Sequence, residues 1–104
     1  MSDRTRGIIS ERSVIEAAEG QVSSELGEEV AILHLQSGVY YGLDPVGARV
    51  WNLLQEEPRK VNEIRDTLLE EYDVEPERCT RDLLALLQKM AEEGLIEVRH
   101  QAPA

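Results

Sequence analysis

SGVYYGLDPVGARVW, residues 37–51, is the stretch that decides the fold. Val39 to Leu43 is rich in strand formers and carries the adjacent tyrosines Tyr40 and Tyr41. It runs straight into Asp44-Pro45, a good N-cap followed by a good first helical residue. Strand alternation sets Val39, Tyr41 and Leu43 on one face and Tyr40 and Gly42 on the other, so both faces carry aromatic mass. Upstream, Glu29 to Leu35 has the same β-forming character, and Gln36-Ser37-Gly38 supplies a tight turn in which Gly38 can take positive φ. The two runs therefore predict a β-hairpin. Downstream, Val46, Val50, Leu53 and Leu54 fall on one helical stripe bordered by Trp51, which predicts a helix to about Gln55.

Working outward, Val14-Ile15 and Gln21 to Leu26 are further strand candidates, with Gly20 and Gly27 as breaks. Past Pro58, the residues Val61, Ile64, Leu68 and Tyr72 recur at helical spacing with Leu69 beside them. Lys60 makes a poor cap for this helix, although Glu63 stands where a capping box places its acid. Val74-Glu75-Pro76 interrupts the chain, and a third apolar stripe follows: Cys79, Leu83, Leu86, Leu87 and Met90, widened by Leu84 and Ala91. Gly94 is the expected left-handed stop, with Leu95 packing back, and Ile96 and Val98 alternate with charges as a last short strand. Residues 1–12 and 99–104 are expected to be flexible tails around a domain at 13–98.

At 104 residues the chain suffices for one core. With no Phe and one Trp, that core must be built from Leu, Val and Ile. A net charge of −10 sets the mean field against phosphate, so nucleic acid and anionic membranes are poor partners. The single cysteine, Cys79, has no partner for an internal disulfide, which fits a cytoplasmic protein. No apolar run reaches the length of a signal peptide or a membrane span.

Catalytic constellations are missing. His34 and His100 have no companion at metal-ligand spacing, and no phosphate loop or nucleophile motif occurs. The pairs Glu56-Glu57, Glu70-Glu71 and Glu92-Glu93 read as solvated helix faces rather than acid–base machinery. No catalytic residue, cofactor or metal is expected, and the chain is not expected to be an enzyme. Helix, helix, longer helix and then a strand is also the grammar of a winged helix-turn-helix. The last helix, however, offers only Arg78, Arg81 and Lys89 against Glu75, Glu77, Asp82, Glu92 and Glu93, too little cation to neutralise a run of phosphates. A peptide is the better ligand: a strand such as Val39 to Leu43 can lie at a sheet edge and accept a further strand through its free backbone groups.

SGVYYGLDPVGARVWNLL, together with VNEIRDTLLEEYDVEPERCTRDLLALLQKMAEEGLIEV, resembles the PqqD-like family of peptide leader recognition elements. The resemblance covers roughly residues 13–98. Its most specific pieces are Gly38, Tyr40-Tyr41, Leu43, Gly47 and Trp51, then Tyr72-Asp73-Val74, Asp82 and Gly94-Leu95. It implies an α+β, winged-helix-like fold of three antiparallel strands followed by three helices. It also implies that the leader of a ribosomally made precursor peptide adds as a strand beside the third strand, in a groove against the third helix. The implied peptide-binding residues are Val39, Tyr40, Tyr41, Gly42 and Leu43, with Cys79, Asp82, Leu83, Leu86 and Met90 as groove wall. Spacing does not separate those that touch peptide from those that are core. Among members, the chain looks most like the discrete leader-binding proteins of lasso-peptide biosynthesis, which serve a leader protease and a ring-closing enzyme. The expected role is a non-catalytic adaptor, monomeric or weakly dimeric, and its acidity suggests partners with basic side chains. The alternatives are an acidic winged-helix regulator acting through protein or DNA contacts and a peptide carrier in PQQ-type cofactor biosynthesis. Lys60 stands where the family often has a hydroxyl cap.

Overall fold

The structure, a computed structural model, describes residues 9–99. The elements are β1 (Val14–Ala17), β2 (Gln21–Leu26), β3 (Glu29–His34), β4 (Val39–Leu43), α1 (Pro45–Glu56), β5 (Arg59–Lys60), α2 (Val61–Glu71), α3 (Pro76–Glu92) and β6 (Ile96–Arg99). The expected hairpin is present as β3–β4, paired in register from Val30 opposite Leu43 to His34 opposite Val39. Its loop begins one residue earlier than expected. His34 ends β3, and its carbonyl accepts from the Gly38 N–H at 2.7 Å, while the Ser37 N–H donates to the His34 ring at 3.3 Å. Gly38 takes φ +74°, a conformation that is costly for a residue with a Cβ.

β2 pairs antiparallel with the other side of β3, giving the three-stranded order β2-β3-β4 with β4 at an edge. Val30 and Ile32 point inward and are buried at 3% and 0% exposure. The next element starts at once because the Asp44 carboxylate accepts the Gly47 N–H at 2.8 Å and Pro45 opens the helix. Edge and helix are thus set by adjacent residues.

A second three-stranded sheet, β5-β1-β6, joins the two ends of the domain. Val14 to Ala17 pairs with Ile96 to Arg99 on one side, and Val14 and Ile15 pair with Lys60 and Arg59 on the other. The tail boundaries shift accordingly. Ile9 is buried in the core, the Asn62 N–H donates to the Glu11 carbonyl, and β6 extends through Arg99. Residues 1–8 and 100–104, including His100, lie outside the described residues. The Gln21 side-chain amide donates to the Ala18 and Leu95 carbonyls and so ties the start of β2 to the turn between α3 and β6.

The core runs between both sheets and all three helices, with Ile15, Ile32, Val50, Trp51, Ile64, Leu87 and Leu95 among its most completely buried side chains. Lys60 stands at the N-cap of α2 without a side-chain cap, and its N–H donates to the Glu63 carboxylate at 3.2 Å. That bond satisfies the half of the capping box that needs no hydroxyl. α3 ends as expected. Gly94 takes φ +80°, the Leu95 N–H returns to the Met90 carbonyl at 2.9 Å, and Leu95 is fully buried. A Cβ on Gly94 would also stand 3.3 Å from Nε2 of His34. Gly94→Ala is therefore expected to lower stability by about 1–2 kcal/mol, read as a drop in the urea midpoint.

Candidate functional site

β4 pairs with β3 and with no other described strand, so the backbone groups on its outer side are free. α3 runs past this edge and leaves a cleft of about 380 Å³ lined by Tyr40, Tyr41, Gly42, Leu43 and Asp44 on the strand side. Leu86, Lys89, Met90 and Glu93 form the helix side. The half-buried face of β4, Tyr41 and Leu43, packs against the core, whereas Tyr40 is 72% exposed. Strand alternation thus fixes Tyr41 as an anchor of the edge and leaves Tyr40 outside.

A second cavity of about 310 Å³ is lined by Val46 from α1, Leu68 from α2, Tyr72 and Val74 from the α2–α3 connection, and Cys79, Asp82, Leu83 and Leu86 from α3. Its wall is almost wholly apolar, and Asp82 supplies its one carboxylate. Leu86 lines both spaces, so cleft and cavity meet at this half-buried side chain. The result is one trough: a free strand edge and a helix along its length, with an apolar hole at the Leu43 end.

Tyr72 is held in the cavity wall from outside. The Arg49 guanidinium of α1 donates to both carboxylate oxygens of Glu71, at 2.7 Å from Nη2 and 2.9 Å from Nε. These hydrogen bonds hold the Glu71 carboxyl below its ordinary range. The grip fastens the end of α2 to α1 immediately before Tyr72. Glu56 likewise pairs with Arg59 at 2.7 Å, so these acids serve as latches between elements.

Every residue that the sequence pointed to on β4 lies on the edge strand, although Val39 borders neither space and is 44% exposed. On α3, Cys79, Leu83 and Met90 are core side chains whose surfaces close the trough, buried at 7%, 3% and 1%. Asp82 is exposed at the rim, and only Leu86 is half-open. Val46, Leu68, Tyr72, Val74, Lys89 and Glu93 also line the trough and escaped the sequence reading. Leu68 and Tyr72 stood on a recognised helical stripe, and Tyr72-Asp73-Val74 was conspicuous, but no spacing rule brings the end of α2 against the first turns of α3.

Burial pushes the Cys79 thiol upward in pKa, which leaves little thiolate. We expect a maleimide at pH 7.5 to label the folded protein at least about a hundredfold more slowly than the urea-unfolded chain. Comparable rates would mean that the cavity opens readily to solvent. Among the described residues no group of acids, histidines and cysteines is arranged to hold a metal ion, and no helix is long and apolar enough to cross a membrane.

The sequence profile described as "Coenzyme PQQ synthesis protein D (PqqD)" matches residues 29–96. The chain belongs to the PqqD family. The match begins at β3 and ends as β6 starts, so it takes in the edge strand and all three helices. Among solved structures, this PqqD-family chain is similar to TbiB1 in complex with the TbiA(beta) leader peptide, at 38% identity and a TM-score of 0.74. That likeness covers 85% of this chain and 99% of the other. A lasso peptide synthetase B1 complexed with its leader peptide shares the fold at 24% identity and a TM-score of 0.68, over 79% of this chain and 95% of that one. No curated protein sequence matches the chain.

Proposed function

We propose that this PqqD-family protein is a non-catalytic adaptor that takes up the leader segment of a ribosomally made precursor peptide, a lasso peptide. The leader is received as a strand on β4, and the bound peptide is handed to a leader protease and a ring-closing enzyme. The observation that carries this is the trough itself, in which an unpaired strand edge lies open beside α3 and leads to an apolar hole. Main-chain hydrogen bonds to the edge supply affinity that is blind to sequence. The hole supplies choice, since it accepts an apolar or aromatic side chain, and Asp82 at its rim favours a neighbouring donor. The proposed contacts are Tyr40, Tyr41, Gly42, Leu43, Asp82 and Leu86, with Cys79, Leu83 and Met90 as the floor and Val39 at the strand's entry.

Such an adaptor needs no reacting group. Holding the leader raises the effective concentration of the rest of the precursor near any enzyme that also touches the adaptor. Two leader-bound structures of the same fold support the role, one of them at 38% identity. The test is calorimetric titration with a synthetic leader of the cognate precursor, with a scrambled leader and a DNA duplex as controls. Saturable one-to-one binding of the leader alone is expected. Binding of the duplex, or of neither peptide by the folded protein, would remove the proposal.

A further inference from the structure

The last turn of α2 is built against its own electrostatics. Glu70 and Glu71 close the helix, Asp73 follows directly after Tyr72, and no lysine or arginine stands in that turn. These carboxylates sit where the helix dipole is already negative and where a cation is the stabilising charge. The cation comes from another helix. Arg49 of α1 meets Glu71 in a two-pronged bond, the arrangement in which a guanidinium holds a carboxylate most firmly. Among the described residues this is the one ion pair that joins α1 to α2.

What the pair holds is Tyr72. The Tyr72 N–H closes α2 by donating to the Leu68 carbonyl at 2.8 Å, so a frayed last turn frees the tyrosine. Its ring stands between two spaces. On one side is the apolar hole, which it lines together with Val46, Leu68 and Leu83. On the other is an open polar cleft of about 370 Å³, bordered by Glu25, Glu28 and Glu29 of the β2–β3 hairpin and by Arg49 and Asn52 of α1. Tyr72 is 38% exposed, so packing alone does not lock the ring, and the cleft has room for it to turn outward.

We propose that Tyr72 sets the size of the peptide side chain that the hole accepts, and that Arg49 and Glu71 are the positioning residues that keep its ring in the wall. The inference rests on the leader-binding role proposed above. Neither Arg49 nor Glu71 lines the hole or the β4 cleft, so both act through Tyr72. With the ring held, the hole has one outline and favours an apolar side chain that fills it. With the ring loose, binding must order it again, which costs affinity for the matching side chain and relaxes the penalty on a bulkier one.

The test is a double-mutant cycle in the full-length chain, with affinity for the synthetic leader of the cognate precursor read by calorimetry. Arg49→Gln and Glu71→Gln are each expected to raise Kd by about three- to tenfold, and the double variant by no more than either alone. Arg49→Glu sets two carboxylates face to face and should cost more. Adding Glu71→Arg to it restores the pair in reverse and should return Kd to within about twofold of wild type. Glu56→Gln breaks a pair of the same 2.7 Å length away from the trough and should change Kd by less than about twofold.

Two further readouts separate positioning from general loosening. Fluorotyrosine incorporation labels Tyr40, Tyr41 and Tyr72, and the fluorine signal lost in Tyr72→Phe is that of Tyr72. In the free single variants this signal should shift or broaden while those of Tyr40 and Tyr41 keep their places. In an alanine scan of the leader's apolar residues, one replacement should erase the Arg49→Gln penalty, which marks the side chain that fills the hole. Tryptophan at that peptide position should then be penalised less by Arg49→Gln than by wild type.

Wild-type affinity in both single variants, additive losses in the double, or a folded reversed pair that stays weak overturns the positioning role and leaves the leader-binding role standing. A Tyr72 signal that no variant moves, or a penalty that no alanine leader erases, overturns it as well. Equal discrimination against the tryptophan leader by wild type and Arg49→Gln overturns the selection by size. Failure of the folded wild type to bind leader removes both proposals together.

Discussion

Leu86→Asp is expected to weaken leader binding by at least about a hundredfold while the domain stays folded. Leu86 is half-buried on α3 and is the one side chain that lines both the β4 cleft and the apolar cavity. In the free protein an aspartate there still reaches water, so the fold survives. A bound peptide would cover it, and a covered carboxylate without a partner costs several kcal/mol. Asp82, one turn earlier on the same helix, adds like-charge repulsion. About 3 kcal/mol of lost affinity corresponds to roughly a hundredfold in Kd. Ala85→Asp, on an exposed position next to it, serves as the control and should change the affinity by less than about threefold. Calorimetry with the leader and a thermal melt of each variant decide the matter, and a folded Leu86→Asp protein with wild-type affinity would place the peptide elsewhere.

Trp51→Ala is expected to have the largest effect on stability, a loss of about 3–5 kcal/mol. Trp51 is 1% exposed and is the one aromatic side chain among the buried residues described, so its removal leaves a cavity that the surrounding side chains fill only in part. With a total stability of order 5–15 kcal/mol for a domain of this kind, the variant would be near the edge of folding. Trp51→Phe should cost much less, about 1 kcal/mol. The Trp51 Nε1 has no hydrogen-bond partner, so replacing indole by phenyl removes an unsatisfied donor together with some packing. Urea unfolding followed by circular dichroism measures both. A Phe variant as unstable as the Ala variant would show that the indole N–H finds a partner in solution.

The sequence reading recovered what is set by neighbours in the chain. Asp44-Pro45 starts α1, Gly94 stops α3, and the turn at Gly38 joins two strands whose alternation separates Tyr41 from Tyr40, which the structure turns inward and outward respectively. Each depends on φ preferences and hydrogen bonds spanning at most five residues. The second sheet was only half legible. β1 and β6 were suspected as separate strands, but their pairing brings Val14 against Arg99, and β5 is two residues long with no periodicity to detect. The site followed the same division. The free edge at β4 was anticipated because a strand running into a helix has a recognisable pattern. The cavity was only partly found because Val46, Leu68 and Tyr72 come from three regions of sequence that only tertiary packing brings together.

One stripe on α3 shows the limit most sharply. Cys79, Leu83, Leu86, Leu87 and Met90 are alike in type and spacing, and periodicity states only that they share a face. Packing then separates them: Leu87 is fully buried, Leu83 and Met90 nearly so, and Leu86 stays half-open because β4 and α3 stand apart at that level. By itself, then, the sequence determined the three helices, the β3–β4 hairpin and the caps at Asp44 and Gly94, since local sterics and hydrogen bonding decide these. Only the tertiary structure decided which apolar side chains stay open to solvent and that the trough ends in a hole. It also decided that Val22, half-buried Leu33 and Tyr40 stand in one row across the sheet. Such properties belong to the spaces between elements, and strand register and helix packing create those spaces from residues far apart in the chain.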